Sequence, residues 1–211
     1  MKQILIFGDS WPSGEELSGN EKSFPILLSD NYQFECKRYC QPSTGIPHLI
    51  LQLERALADG INKDTHALFC LSSASRSITF QNNQWQEIHA RGTDVHANAY
   101  FKYIHSKELE DFSANCYILA LQKMCQEFGI LDHYISCWSH LNLYLPGIDK
   151  SKFLNEGKTT LVDILGCGIS SSFINDVVVD SEHYTIQPNI CHPNAIGHRI
   201  IAEKIADWLK I

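Results

Sequence analysis

The sequence predicts an α/β protein: a doubly wound parallel sheet of about five strands with helices on both faces. Three observations carry that expectation. Short apolar runs alternate along the chain with longer segments whose apolar residues recur at 3/4 spacing. The runs are apolar on successive residues, as strands covered on both faces must be. With 211 residues, 44% of them hydrophobic and 19% charged, the chain has material for a full core in one domain spanning 1–211.

Residues 2–7 (KQILIF) form the first run, ended by Gly8, and 33–39 form the second. Between 45 and 59 the apolar positions Ile46, Leu49, Ile50, Leu53, Ala56 and Leu57 fall on one helical face, and Gly60 supplies a stop. Residues 66–71 (HALFCL) are a third run. The polar stretch 76–94 has no clear period and reads as a loop insertion. Helical spacing returns over 97–128, as two helices broken near Ser106, and Gly129 ends it. A strand at 132–138, a loop at 139–157 and a short helix at 159–165 follow. The last helix, 194–209, places Ile196, Ile200, Ile201, Ile205, Ala206 and Leu209 on one side, with Pro193 at its start.

Right-handed crossovers bring the strand C-termini of such a sheet to one edge, where ligands bind. Three polar turns follow strands there: Gly8-Asp9-Ser10, Ser43-Thr44-Gly45, and 72–76.

Composition excludes several classes of function. Seventeen Lys and Arg against 24 Asp and Glu give a net charge of −7, which argues against a nucleic-acid partner. No apolar stretch approaches the ~20 residues of a membrane span. The eight cysteines (36, 40, 70, 116, 125, 137, 167 and 191) invite a disulfide framework, but the opening residues lack a signal peptide and several cysteines sit inside apolar runs. Reduced core thiols in a cytoplasmic protein are the expectation. Cys36 and Cys40 are the nearest pair, no CxxC occurs, and a metal site is not expected. Gly8–Gly14 lacks the Lys-Ser/Thr ending of a phosphate loop, and no GxGxxG follows the first strand, so no nucleotide cofactor is expected either.

Chemistry is found at the two ends of the chain. Ser10 follows a buried strand on a tight turn, where its hydroxyl and backbone N–H can point into the cleft; its structural alternative is to cap a helix. His192 opens the last helix at the same edge. A serine hydroxyl is inert until an imidazole takes its proton, so this pairing is what acyl transfer needs. His198, inside the helix, reads as a packed residue. Among the tryptophans, Trp11 is expected to face the cleft and Trp138 to pack at the core or rim.

The stretch IleLeuIlePheGlyAspSer at 4–10, taken with HisProAsnAlaIleGlyHis at 192–198, resembles the SGNH/GDSL hydrolase superfamily. The resemblance implies a flavodoxin-like three-layer α/β/α fold and a serine esterase or acyl hydrolase that uses no metal or organic cofactor. It places the nucleophile at Ser10, which also gives one oxyanion N–H, a second oxyanion N–H at Gly45, and the base at His192. Two positions depart. The family's oxyanion asparagine falls on Ala74, and its acid, three residues before the histidine, falls on Asn189. Candidate replacements for the first are Ser73 and Arg76, then Ser75, Asn82 and Asn83. Asn189 can orient the His192 ring through its amide oxygen but brings no charge; Asp94, Asp180, Glu182 or a backbone carbonyl are the alternatives.

The expected function is therefore cleavage of an ester or acyl bond in a small-molecule or acylated substrate. The alternatives are a ligand-binding scaffold with reduced or lost catalysis, and an acyltransferase.

Overall fold

A computed structural model of the chain describes residues 2–15, 17–32, 34–61, 63, 65–81, 83–88, 95–166, 168–169, 178–179, 185–187 and 190–210. The elements run β1 (Lys2–Phe7), the single turn α1 (Ser10–Ser13), α2 (Phe24–Tyr32), β2 (Phe34–Arg38), α3 (His48–Ala58), β3 (His66–Leu71), β4 (Ser77–Gln81), β5 (Gln84–Ile88), α4 (Val95–Tyr103), α5 (Lys107–Phe128), β6 (Leu131–Ser136) and α6 (Leu161–Ile164). The short strands β7 (Gly168–Ile169), β8 (Val178–Val179), β9 (Thr185–Gln187) and β10 (Ile190–Pro193) then lead to α7 (Ala195–Leu209).

Strands β2, β1, β3 and β6 form one parallel sheet in that order. The first crossover goes to one side of β1 and the next returns to the other, so the crevice between β1 and β3 is the topological switch point. Four strands stand among the described residues where about five are expected. At the outer side of β6, two isolated parallel bridges, Tyr134 with Phe153 and Ser136 with Thr160, take the place of a fifth strand.

Strand alternation gives the sheet its two cores. Ile4 and Ile6 of β1 join Leu68, Cys70 and Ile135 beneath α2, α6 and α7. Leu5 and Phe7 join Ala67, Phe69, Leu71 and Tyr134 beneath α3 and α5. Within the second core, register puts Phe7 opposite Phe69 and Phe69 opposite Tyr134. The rings of Tyr39, Phe7, Phe69, Tyr134 and Phe153 therefore stack as a ladder across the sheet, with centroids 5.5, 4.7, 5.1 and 5.0 Å apart. That is one strand spacing per step.

Local chemistry sets the helix boundaries. Ser106 caps α5 by accepting from the Leu109 N–H at 3.2 Å, which accounts for the break near Ser106. Thr160 and Asp163 form a reciprocal capping box on α6. Asn194 caps α7 by accepting from the Ile196 and Gly197 N–H groups, both at 3.0 Å. The stretch 76–94 is not simply a loop: β4 and β5 pair as an antiparallel hairpin, with Phe80 opposite Trp85. Asn83 turns it at φ 62°, a conformation asparagine tolerates better than most residues.

Cys70, Cys125 and Cys137 are buried as core fillers, and burial pushes the Cys125 thiol up to about 12. Cys167 lies outside the described residues. Among the described residues, no helix is long and apolar enough to cross a membrane.

Candidate active site

The chain leaves β1 through Gly8 at φ 154°, and a Cβ there would lie 2.7 Å from Pro12 Cγ and 2.9 Å from Cys70 Cβ. Only glycine fits so close a passage. Gln52, buried on α3, clamps this peptide from both sides: the Gly8 N–H donates to its Oε1 and the Gly8 carbonyl accepts from its Nε2, each at 2.9 Å. Asp9 then caps the turn of α1 by accepting from the Trp11 N–H at 3.3 Å. Ser10 follows as the first residue of that turn, at the C-terminal edge of the sheet.

From 182 residues away, β10 brings His192 to the same place: Ser10 Oγ and His192 Nε2 lie 3.0 Å apart. Two indoles pack against the imidazole. Trp138, just past β6, has its ring centroid 5.7 Å from that of His192 at an interplanar angle of 62°, and Trp11 stands at 6.5 Å and 81°. The two indoles also meet each other edge-on at 5.2 Å. Trp11 is 1% exposed, so it serves the core rather than facing the cleft. Its position next to Ser10 fixes where its backbone lies, but α1 turns the side chain inward.

Asp9 is fully buried, and Arg76 Nη1 lies 3.3 Å from its Oδ2. Burial pushes the Asp9 carboxyl above the usual range; the Arg76 guanidinium is the strongest opposing influence, followed by the Trp11 N–H and then by His192. The same Arg76 nitrogen donates to the Thr44 carbonyl at 3.1 Å, and the Ser72 hydroxyl donates to that carbonyl at 2.7 Å. Arg76 thus ties the turn that carries Asp9 and Ser10 to the turn that carries Gly45, which is itself buried.

Of the other sequence candidates, Ser73 lies in the turn after β3, but its hydroxyl is 2.9 Å from that of Ser75 and accepts from the Ser75 N–H at 3.3 Å. Asn83 is exposed on the hairpin turn. Asn82, Asp94, Asp180, Glu182 and Asn189 lie outside the described residues. His198 is a packing residue: its Nδ1 accepts from the Phe24 N–H at 3.2 Å and its ring stacks on Phe24. Burial, reinforced by nearby His192, lowers its pKa to about 4, so it stays neutral.

Sequence reasoning missed Gln52, the Asp9–Arg76 pair and the role of Trp138. A signal existed for Gln52, a polar residue on the apolar stripe between Leu49 and Leu53. None existed for the pairing of Arg76 with Asp9, because its partners come from two other turns. A small recess opens beside this edge, lined by Ile46, Pro47, Ala74, Arg76, Tyr100 and Glu110 among others. Among the described residues, no three His, Cys, Asp or Glu side chains gather to hold a metal ion.

No protein-family model and no curated protein sequence matches the chain. Solved structures do. The chain superposes on the esterase EstA from Pseudoalteromonas sp. with a TM-score of 0.58 at 15% identity, covering 100% of this chain and 97% of the other. A member of the lipolytic G-D-S-L family from Veillonella parvula gives 0.54 at 13%, covering 98% and 97%. The acetyl xylan esterase AlAXEase gives 0.52 at 13%, covering 97% and 98%. At these identities the likeness is one of fold: the chain has the α/β/α scaffold that these hydrolases have.

Proposed function

We propose that this chain is a serine hydrolase of ester or acyl bonds, formed as a single SGNH-like domain over 1–211. The observation that carries the reading is the 3.0 Å approach of Ser10 Oγ to His192 Nε2 at the switch-point edge of the sheet. Neutral His192 accepts the Ser10 proton at Nε2 while Oγ attacks the substrate carbonyl carbon. The carbonyl π-pair moves to oxygen, where the N–H groups of Ser10 and Gly45 receive it. The imidazolium returns its proton to the leaving oxygen as the old ester bond breaks, giving an acyl-Ser10. Water, deprotonated by the same imidazole, then releases the acid.

Asn189 takes the orienting position in this reading: its amide oxygen accepts from His192 Nδ1–H and holds the tautomer without adding charge. Arg76 and Ser73 remain the candidates for a further oxyanion contact, reached by giving up their present partners. The substrate is a small molecule or an acylated one. A cytoplasmic setting agrees with the free thiols of Cys36, Cys40, Cys70, Cys116, Cys125 and Cys137.

Turnover of p-nitrophenyl acetate and butyrate by wild type and Ser10→Ala tests the proposal. The variant should lose at least about 10³-fold in kcat, and equal rates would overturn the reading. A fluorophosphonate should label Ser10, since the EstA structure is of an enzyme inhibited by monoethylphosphonate. The residues at 74 and 189 favour a second reading, a scaffold that binds its ligand without cleaving it. Ser10-dependent hydrolysis would end that one. A transferase would turn over only when an acyl acceptor other than water is supplied.

A further inference from the structure

His192 must carry a positive charge while Ser10 attacks, and the chain has a neutral asparagine where the resemblance places the supporting acid. The structure offers another source of support. Trp138 stands 5.7 Å from the His192 centroid at a steep 62°. A cation within about 6 Å of an indole centroid is drawn to the ring's negative face, and the imidazole ring lies within that distance. Trp11, at 6.5 Å, falls outside that distance and acts by packing, buttressing Trp138 at 5.2 Å. Trp138 also starts from a fixed base. The Cys137 N–H donates to the Leu71 carbonyl at 2.8 Å, and the Cys137 carbonyl accepts from the Val162 N–H at 3.2 Å.

We propose that Trp138 is the positioning residue of His192: its indole holds the imidazole against Ser10 and stabilises the imidazolium that forms when Ser10 gives up its proton. The inference rests on the Ser10–His192 reading above. The charged and titratable groups facing His192 from neighbouring elements are Asp9, with Arg76 upon it, and His198 on α7. Substitution at 138 leaves Arg76 and His198 in place but takes away the Trp138 side chain, which favours the charged Asp9 carboxylate; a trifluorinated tryptophan keeps the indole N–H and separates that effect from the ring's own.

The test reads His192 directly, without turnover. In Ser10→Ala protein, NMR titration of the His192 ring, assigned by its loss in His192→Gln, is compared for Trp138, Trp138→Phe and Trp138→Leu. Leucine is apolar but smaller, and water admitted beside it would raise the titration, opposite to the expected change. His192 should titrate about one pH unit lower in the leucine variant and in between for phenylalanine. With Ser10 intact, kcat should fall about 3- to 30-fold for leucine while KM holds, and phenylalanine should recover part of the loss. A folded Trp138→Leu protein in which His192 titrates where the parent does overturns the inference. Should that variant fail to fold, a trifluorinated tryptophan placed at 138 keeps the shape and drains the π-face. It must lower the His192 titration, and an unchanged titration overturns the inference equally. Turnover that survives Ser10→Ala would instead sink the hydrolase reading and leave the titration result standing.

Discussion

Two histidines lie against tryptophans toward opposite ends of the same sheet; one faces a hydroxyl and the other a second histidine. His192 meets Trp138 at 5.7 Å and Ser10 at 3.0 Å. His133 on β6 meets Trp208 at 5.6 Å, and its Nε2 lies 3.1 Å from His66 Nδ1. Helix α7 joins the two places: its 15 residues, about 22 Å of rise, begin just after His192 and carry Trp208 near their far end. The comparison teaches that an indole beside an imidazole does not make a reactive centre. The second partner decides. A neighbouring imidazole repels a proton, and burial joined by His66 lowers the His133 pKa to about 4. A hydroxyl offers one.

The largest effect that sharpens this contrast is acid loss of stability. His133 and His198 both sit near 4 in the folded protein against an ordinary 6.5. Their folded values lie below the unfolded ones, so the folded state resists protonation. Stability is full above pH 6.5 and is lost as pH falls from 6.5 towards 4, by ~3 kcal/mol for each histidine. Urea unfolding at pH 7.5 and 4.5 should show the loss, and His133→Gln should remove about half of it while leaving kcat at pH 7.5 within about twofold. A flat profile in the wild type removes the structural role assigned to His133.

Arg76→Ala probes the opposite end. Removing one member of a dry ion pair costs roughly 3–5 kcal/mol. The Arg76 side chain is 21% exposed, so water offsets part of that, and the expected cost is about 2 kcal/mol. Unlike His133→Gln, this change should also lower kcat, because it unties the Ser10 turn from the Gly45 turn. A stability loss with kcat intact would make Arg76 a purely structural partner of Asp9. The smallest expected effect is that of Gln52→Leu. It leaves the buried Gly8 N–H without its partner, at about 1–2 kcal/mol, and lets the Ser10 turn shift, at about tenfold in kcat. Thermal unfolding and initial rates measured on one preparation separate the two.

What was legible in the sequence follows from these physics. Strands β1 and β3 were readable to the residue, because an unbroken apolar run covered on both faces has one interpretation. Helix α2 was not: its nine residues bury Phe24, Pro25 and Leu28, too short a stripe to show a period. The hairpin β4–β5 was hidden because it packs outside the main sheet and keeps Phe80 and Trp85 half exposed. At the candidate site, Ser10 and His192 were legible because each sits at a boundary between a strand and a helix. The side chains that surround them were not. Trp138 packs at the rim of the core as expected, but Trp11, expected to face the cleft, is buried, since chain position locates a backbone and only packing aims a ring. Ala74 and Asn189 could be read as departures from the resemblance, yet nothing in a sequence says which distant side chains stand near Ser10 and His192.

The ladder of stacked rings bears on how such an edge can change. Phe7 lies three residues before Ser10, and Phe69 three before Ser72. The turns that hold the chemistry therefore spring from rungs whose spacing is fixed by the sheet and not by the turns. Substitutions confined to those turns leave the stacked rings beneath them untouched.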